Sequence, residues 1–270
     1  MLRYLDYAFF SNALIGVVFI SICAAVIGTY IITRRMVAIS GGVTHACFGG
    51  LGLGYYMGID PVLMAGVFAV GSSVGVEMMA RRMNLREDSA IAVIWALGMA
   101  LGVLFVFMTP GYVPELNAFL FGNILTVTAP DLQAFAIFTF VLLAFFAWQY
   151  RNIVVISFDR DFATVAGLPV RFVSYTMTVL VAVCIVLTIR LAGIMMLMSM
   201  LSLPILTAEI FHHRFLPVMI VSACFSLIAS VTGLFVSTVV DVPCSALIVL
   251  IMVGLFVAAK LVSALRSHSK

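Results

Sequence analysis

Charge is what this chain has least of. Asp, Glu, Lys and Arg make up only 9% of its 270 residues, 64% are hydrophobic, and the mean hydropathy is +1.26. So little polar surface cannot cover a soluble core, which excludes a water-soluble globular protein and implies a polytopic membrane protein. Short alternating polar and apolar runs are also missing, so the spans are expected to be helices rather than barrel strands. No CxxC or CxxH spacing occurs. Cys23, Cys47, Cys184, Cys224 and Cys244 lie scattered in or beside apolar runs and read as small buried hydrophobes. Walker A, GxSxG and HExxH motifs are all absent, so the chain has no ATPase motif of its own and is not expected to be an enzyme. Residues 1–8 offer no basic n-region, and the first apolar run is long enough to span, so no cleavable signal is expected. The net charge of +3 comes from basic residues that mark loops and does not suggest nucleic acid.

Glycine is abundant where charge is scarce. Residues 40–61 read SGGVTHACFGGLGLGYYMGIDP, with small residues at every fourth place: Gly42, Ala46, Gly50, Gly54 and Gly58. At ~3.6 residues per turn these form one stripe, which in lipid lets a second backbone approach closely. A neighbouring stripe carries Gly41, His45 and Gly49. His45 is the one histidine inside an apolar span. An ionisable group at that depth reads either as a pathway residue or as a polar group that fixes helix packing.

The apolar runs divide into about nine spans within a single domain, residues 1–270, giving an all-α transmembrane bundle. They run from about Ala8 to Thr33, Ser40 to Gly58, Pro61 to Ala80, Ser89 to Met108, Asp131 to Tyr150, Phe172 to Ile189, Leu191 to Ile210, Val218 to Val240 and Cys244 to Leu265. Residues 118–128 are too short to cross alone and read as a re-entrant or interfacial helix. With the N-terminus outside, Arg34, Arg35, Arg81, Arg82, Arg86, Arg151, Arg160, Arg171, Arg214, Arg266 and Lys270 fall on the cytoplasmic side, as does the C-terminus. Asp6, Asp60, Glu115, Asp131 and Asp241 fall on the other side, as ordinary helix-end residues or as a weakly acidic mouth. Trp95 and Trp148 are expected near span ends, as interface anchors.

Residues 157–169, SFDRDFATVAGLP, read as a short amphipathic cytosolic helix. Ser157 would cap it, Asp159 and Asp161 would lie in its first turn, and Gly167 would stop it ahead of Pro169. Phe158, Phe162 and Val165 share one face, fit either for lying on lipid or for docking into a cytosolic partner. Two aspartates make an anionic lipid surface the poorer choice and favour docking. Met195, Met196, Met198 and Met200 spread around their helix as core filler rather than as a soft-metal path. Pro204 is expected to bend or break that helix, which makes the second and seventh spans the candidates for lining a path. Glu209 and His213, four apart, could share a metal but lack a further ligand nearby and read as a solvated loop. Glu77 can reach the interface or pair with Arg81 one turn on.

Several of these stretches resemble one family. RRMVAISGGVTHACFGGLGLGYYMG, SFDRDFATVAGLPV, GIMMLMSMLSLPILTA and STVVDVPCSALIVL occur in the order found in the manganese/zinc/iron permease family of ATP-binding-cassette importers. The resemblance covers essentially the whole chain. It implies a permease subunit in a bacterial inner membrane that moves a divalent transition metal ion or its chelate by alternating access. It implies a second permease copy (identical or closely related), cytosolic ATPases docked on the segment from Phe158 to Gly167, and an external binding protein that delivers the metal. No cofactor would be bound by this chain, and ATP would be used in the partner. Many members carry an aspartate one turn before the span-two histidine; here that place is Gly41, so His45 lacks the expected carboxylate. Imidazole alone suits zinc better than manganese, which tilts the expected metal towards zinc. The rival reading is a secondary transporter or channel that uses no ATP.

Overall fold

The computed structural model describes residues 7–83, 85–110, 122, 124–240 and 242–268. Glu115, Asp241, residues 118–121 and Asn123 lie outside that set, so the re-entrant segment is described only at Gly122 and from Ile124, where a 3-10 turn covers Ile124–Thr126. The described residues form nine α-helices: α1 (Ala8–Thr33), α2 (Ala38–Met57), α3 (Pro61–Arg82), α4 (Glu87–Met108), α5 (Ala129–Phe158), α6 (Arg160–Val165), α7 (Val170–Glu209), α8 (Phe215–Val240) and α9 (Cys244–His268). Seven of them are long and apolar enough to cross a membrane. The protein is therefore an all-helical, multi-pass membrane protein. Glycines and hydroxyls dilute the hydropathy of α2, which keeps it out of that set. The 40 residues of α7 are two helices joined at the non-helical Gly193, together about 60 Å of helix, or enough for two crossings of a ~30 Å hydrocarbon core.

Helix ends follow local chemistry. Gly58 closes α2 at φ +67, and Ile59 N–H donates to Gly54 O at 3.0 Å across the turn. Asp60 then caps α3, its Oδ1 accepting from Val62 N–H at 2.8 Å, with Pro61 in the first helical position. Three expectations need correction. Helix α5 does not stop at Tyr150 but continues to Phe158, because Ile153 and Ile156 are buried and continue its apolar face. Ser157 is consequently not a cap; its hydroxyl donates to Ile153 O at 2.6 Å within α5. The backbone breaks at Asp159, whose carboxylate caps α6 by accepting from Phe162 N–H at 2.8 Å. The irregular residue of α7 is Gly193 (φ 78, ψ 170), in a region only glycine enters without strain. Pro204 instead lies buried inside the continuing helix.

The chain folds as two compact units, each drawing on separate stretches of sequence. One gathers the described residues of Met1–Ile32, Asn117–Ala144 and Leu191–Lys270. Inside it Phe10 meets Phe235 (centroids 5.2 Å apart), and Cys23 Sγ lies 3.2 Å from Thr139 Oγ1. Ile205, Ala208 and Val218 pack with Ile32 and Val221.

The other unit comprises Thr33–Leu116 and Phe145–Arg190. Here α2 is wedged between α3 and α4 on its glycines. A Cβ at Gly49 would stand 2.9 Å from Gly98 O, and one at Gly52 2.6 Å from Gly102 O, both on α4. One at Gly50 would stand 2.8 Å from Ala65 Cα on α3, and one at Gly54 2.7 Å from Pro61 Cα. Gly42 faces Ile91. Backbones this close exclude any side chain between them and bring α2 against both neighbours along its length.

Candidate functional site

The second unit holds both stretches singled out by sequence. His45 projects from the middle of α2, half-buried, and its ring stacks on Trp95 of α4 with centroids 4.6 Å apart and planes 11° from parallel. Trp95 thus sits about two turns inside α4. Gly41, one turn before His45, is buried and leaves no carboxylate there. Among the described residues no three His, Cys, Asp or Glu side chains gather into a group able to hold a metal, whether at His45 or at Glu209 and His213.

The segment around α6 is tied down by buried charge. Arg160, its first residue, donates through Nη2 to Glu77 Oε1 at 2.7 Å and through Nη1 to Glu87 Oε1 at 3.2 Å. Arg81 Nε donates to the same Glu77 oxygen at 2.7 Å, one helical turn along α3. Arg34, just past α1, donates to Glu87 and lies 4.0 Å from the other Glu77 oxygen. The Glu77 side chain is 1% exposed and that of Arg34 5%. Three arginines and two carboxylates from four separate stretches therefore form one cluster. Such groups persist out of water only because each ion has partners. The cluster brings the α1–α2 and α3–α4 connections and α6 to one end of this unit. Sequence reading had paired Glu77 with Arg81 alone; the signal for more was a lone acid inside an apolar span.

The far side of α6 is open. Phe162 is 61% and Val165 89% exposed, and Phe158 at the end of α5 is 64% exposed. Asp159 caps the helix and Asp161 lies in its first turn. Gly167 ends the segment at φ +74, and Leu168 N–H returns to Ala163 O at 3.0 Å. A short helix is thus held rigidly by its base and turns an apolar strip outward.

This architecture defines a multi-pass membrane subunit with a charge-anchored surface helix and a glycine-packed three-helix core. The chain belongs to the ABC 3 transport family, whose sequence pattern matches residues 6–263. It is 34% identical to an uncharacterized membrane protein of Synechocystis, over 93% of this chain and 89% of that protein. It is 31% identical to the manganese transport system membrane protein MntC of Halalkalibacterium halodurans, over 94% of this chain and 87% of that one. Among solved structures it is similar to PsaBC from Streptococcus pneumoniae in complex with Fab. The TM-score is 0.82 at 27% identity, covering 96% of this chain and 93% of the other.

Proposed function

We propose that this chain is the membrane-spanning permease subunit of an ATP-driven importer for a divalent transition metal ion in a bacterial inner membrane. The observation that carries the reading is α6, an exposed apolar helix anchored by Arg160 to α3 and α4. A cytosolic ATP-binding-cassette ATPase that gripped Phe162 and Val165 would move three helices of the unit together. A carrier working without ATP has no use for such a handle. The cytosolic placement of α6 follows from the arginine distribution, with the N-terminus outside. The partners are two such ATPases, a second permease copy and an extracytoplasmic metal-binding protein. ATP is hydrolysed in the partner, this chain holds no cofactor, and the metal is cargo.

The zinc preference inferred from His45 is not carried further. MntC of Halalkalibacterium halodurans and MntC of two Listeria species are named as manganese transport proteins, which favours manganese. His45, stacked on Trp95, is a pathway residue of the bundle, which opens alternately to either side.

Phe162→Asp places a charge in the docking face. The variant should weaken recovery of the ATPase in a mild-detergent pull-down by roughly thirtyfold, the scale for losing a buried aromatic anchor. Wild-type recovery by the variant would remove α6 from the interface. His45→Ala should lower manganese uptake into cells on the order of ten- to hundredfold, as losses around metal sites do, while ATPase recovery stays unchanged. Unaltered uptake would return His45 to packing.

A further inference from the structure

Beside the charge cluster lies a cleft that the transport reading does not use. The last two residues of α3, Arg81 and Arg82, face Arg171 and Tyr175 from the first turns of α7 across a cavity of about 440 Å³. Arg81 is partly engaged: its Nε goes to Glu77, and its guanidinium carbon lies 5.4 Å over the Tyr175 ring. Arg82 and Arg171 are exposed and have no ion pair among the described residues. The neighbouring carboxylates, Glu77 and Glu87, are already committed to Arg34, Arg81 and Arg160. Arg171 also stands in the first turn of α7, where the helix dipole disfavours a cation. The mouth of the cleft is therefore a cationic site without an internal counter-ion.

Its other half is apolar. Arg81 and Arg171 also border an adjoining cavity of about 530 Å³ lined by Leu168, Pro169, Val170 and Phe172. Phe172 is half-exposed and joins Phe145 and Trp148 in an edge-to-face aromatic cluster with centroids 6.1 to 6.4 Å apart. Trp148 is 72% exposed. Phe145 and Trp148 lie inside α5, but Phe172 brings the group to the first turn of α7, and exposed aromatics at a helix end mark the depth of lipid headgroups. A free phosphate would occupy the arginine mouth and leave the apolar half unused. An amphiphile fills both.

We propose that the cleft between the end of α3 and the start of α7 binds an anionic phospholipid, with its phosphate held by Arg82, Arg171 and Tyr175 and its glycerol and upper acyl chain laid against Leu168, Val170 and Phe172. Basic pockets between spanning helices take such headgroups on the cytoplasmic side. The assignment to the cytoplasmic leaflet rests on the orientation given under the proposed function; the binding chemistry does not. Because Leu168 and Pro169 join α6 to α7, the lipid sits against the root of the helix offered to the ATPase.

The test is native mass spectrometry of the delipidated transporter, purified with whatever subunits accompany it. Dioleoyl-phosphatidylglycerol, dioleoyl-phosphatidylcholine and inorganic phosphate are titrated separately and in competition. Phosphatidylglycerol should bind in preference to phosphatidylcholine and should survive excess inorganic phosphate. The double variant Arg82→Gln/Arg171→Gln should weaken it roughly thirtyfold, two basic groups' worth of attraction at an anionic lipid. Arg86→Gln, which removes an exposed arginine elsewhere, should bind as wild type. Gel filtration and thermal unfolding confirm that the double variant is folded, and Arg82→Gln alone supplies an intermediate step. Equal binding of both lipids, full binding by the double variant, or complete displacement by inorganic phosphate would each overturn the proposal. So would lipid binding that occurs only after the ATPase is stripped away, since the arginines would then face protein. The readout needs neither metal nor ATP turnover, so failure of the importer reading would leave it intact.

Discussion

Glu77→Ala should cost the folded protein about 3–5 kcal/mol, the range for removing one partner from a buried ionic cluster. The carboxylate is 1% exposed and meets Arg34, Arg81 and Arg160, so its loss leaves Arg34 and Arg160 sharing Glu87 and takes from Arg81 its carboxylate partner. Those cations cannot all return to water, because the Arg34 side chain is itself 5% exposed. Thermal unfolding in detergent should therefore move sharply downward. Arg160→Ala should destabilise less, as Arg160 is at the more exposed edge of the cluster, with 27% of its side chain accessible. In a double-mutant cycle the two costs should fail to add, because each variant removes the same pair. Simple additivity, or a Glu77→Ala protein as stable as wild type, would mean that the cluster does not hold α6. With ATPase recovery as a second readout, the Arg160→Ala protein should remain folded but release its partner more easily, since α6 would be left with its cap but without its anchor.

Gly98→Val should be strongly damaging. A Cβ at Gly98 would run into the α2 backbone at Ala46, with Ala46 N only 3.2 Å away, so relief would require α2 and α4 to separate. Overpacking of this kind costs about 1–3 kcal/mol in a side-chain core and more when backbone must move. The expected result is little folded protein in gel filtration, and a lowered unfolding temperature for what remains. Gly71→Ala on α3 is the counter-experiment. Nothing lies within 4 Å of a Cβ there, so the change should be neutral or stabilising by up to ~1 kcal/mol through helix propensity alone. If both variants unfolded at the wild-type temperature, the close approach of α2 to α4 would be wrong.

Much of the helical fold was legible because apolar runs in a charge-poor chain have few alternatives. The small residues of α2 announced a close approach without saying to what; Ile91 and Gly98 of α4 and Ala65 of α3 became visible only once the chain had folded. What misled was local chemistry with two possible uses. Ser157 looked like a cap, yet inside a helix that continues, a serine can return its hydroxyl to the preceding turn, and it does so to Ile153 O. Asp159, two residues later, takes the cap because its backbone is extended there (φ −146, ψ 100). Pro204 drew attention as the helix breaker, but a helix can carry a proline if one carbonyl goes without its bond, whereas Gly193 adopts a backbone conformation closed to other residues. The charge cluster was out of reach of local pattern altogether. Arg160 and Glu77 are separated by 83 positions. The stack of His45 on Trp95 likewise joins residues whose only shared feature is facing positions on two helices.

The buried anchor of α6 also bears on ionic strength. Ions in solution screen exposed charge pairs beyond ~8 Å at physiological salt but barely reach pairs held out of water. Asp159 and Asp161, exposed on either side of Arg160 at the start of α6, are open to that screening, whereas the contacts of Glu77 are not. Rising salt should thus weaken any ionic contact made through Asp159 and Asp161, while the joint between α6 and Glu77 stays as stiff as before.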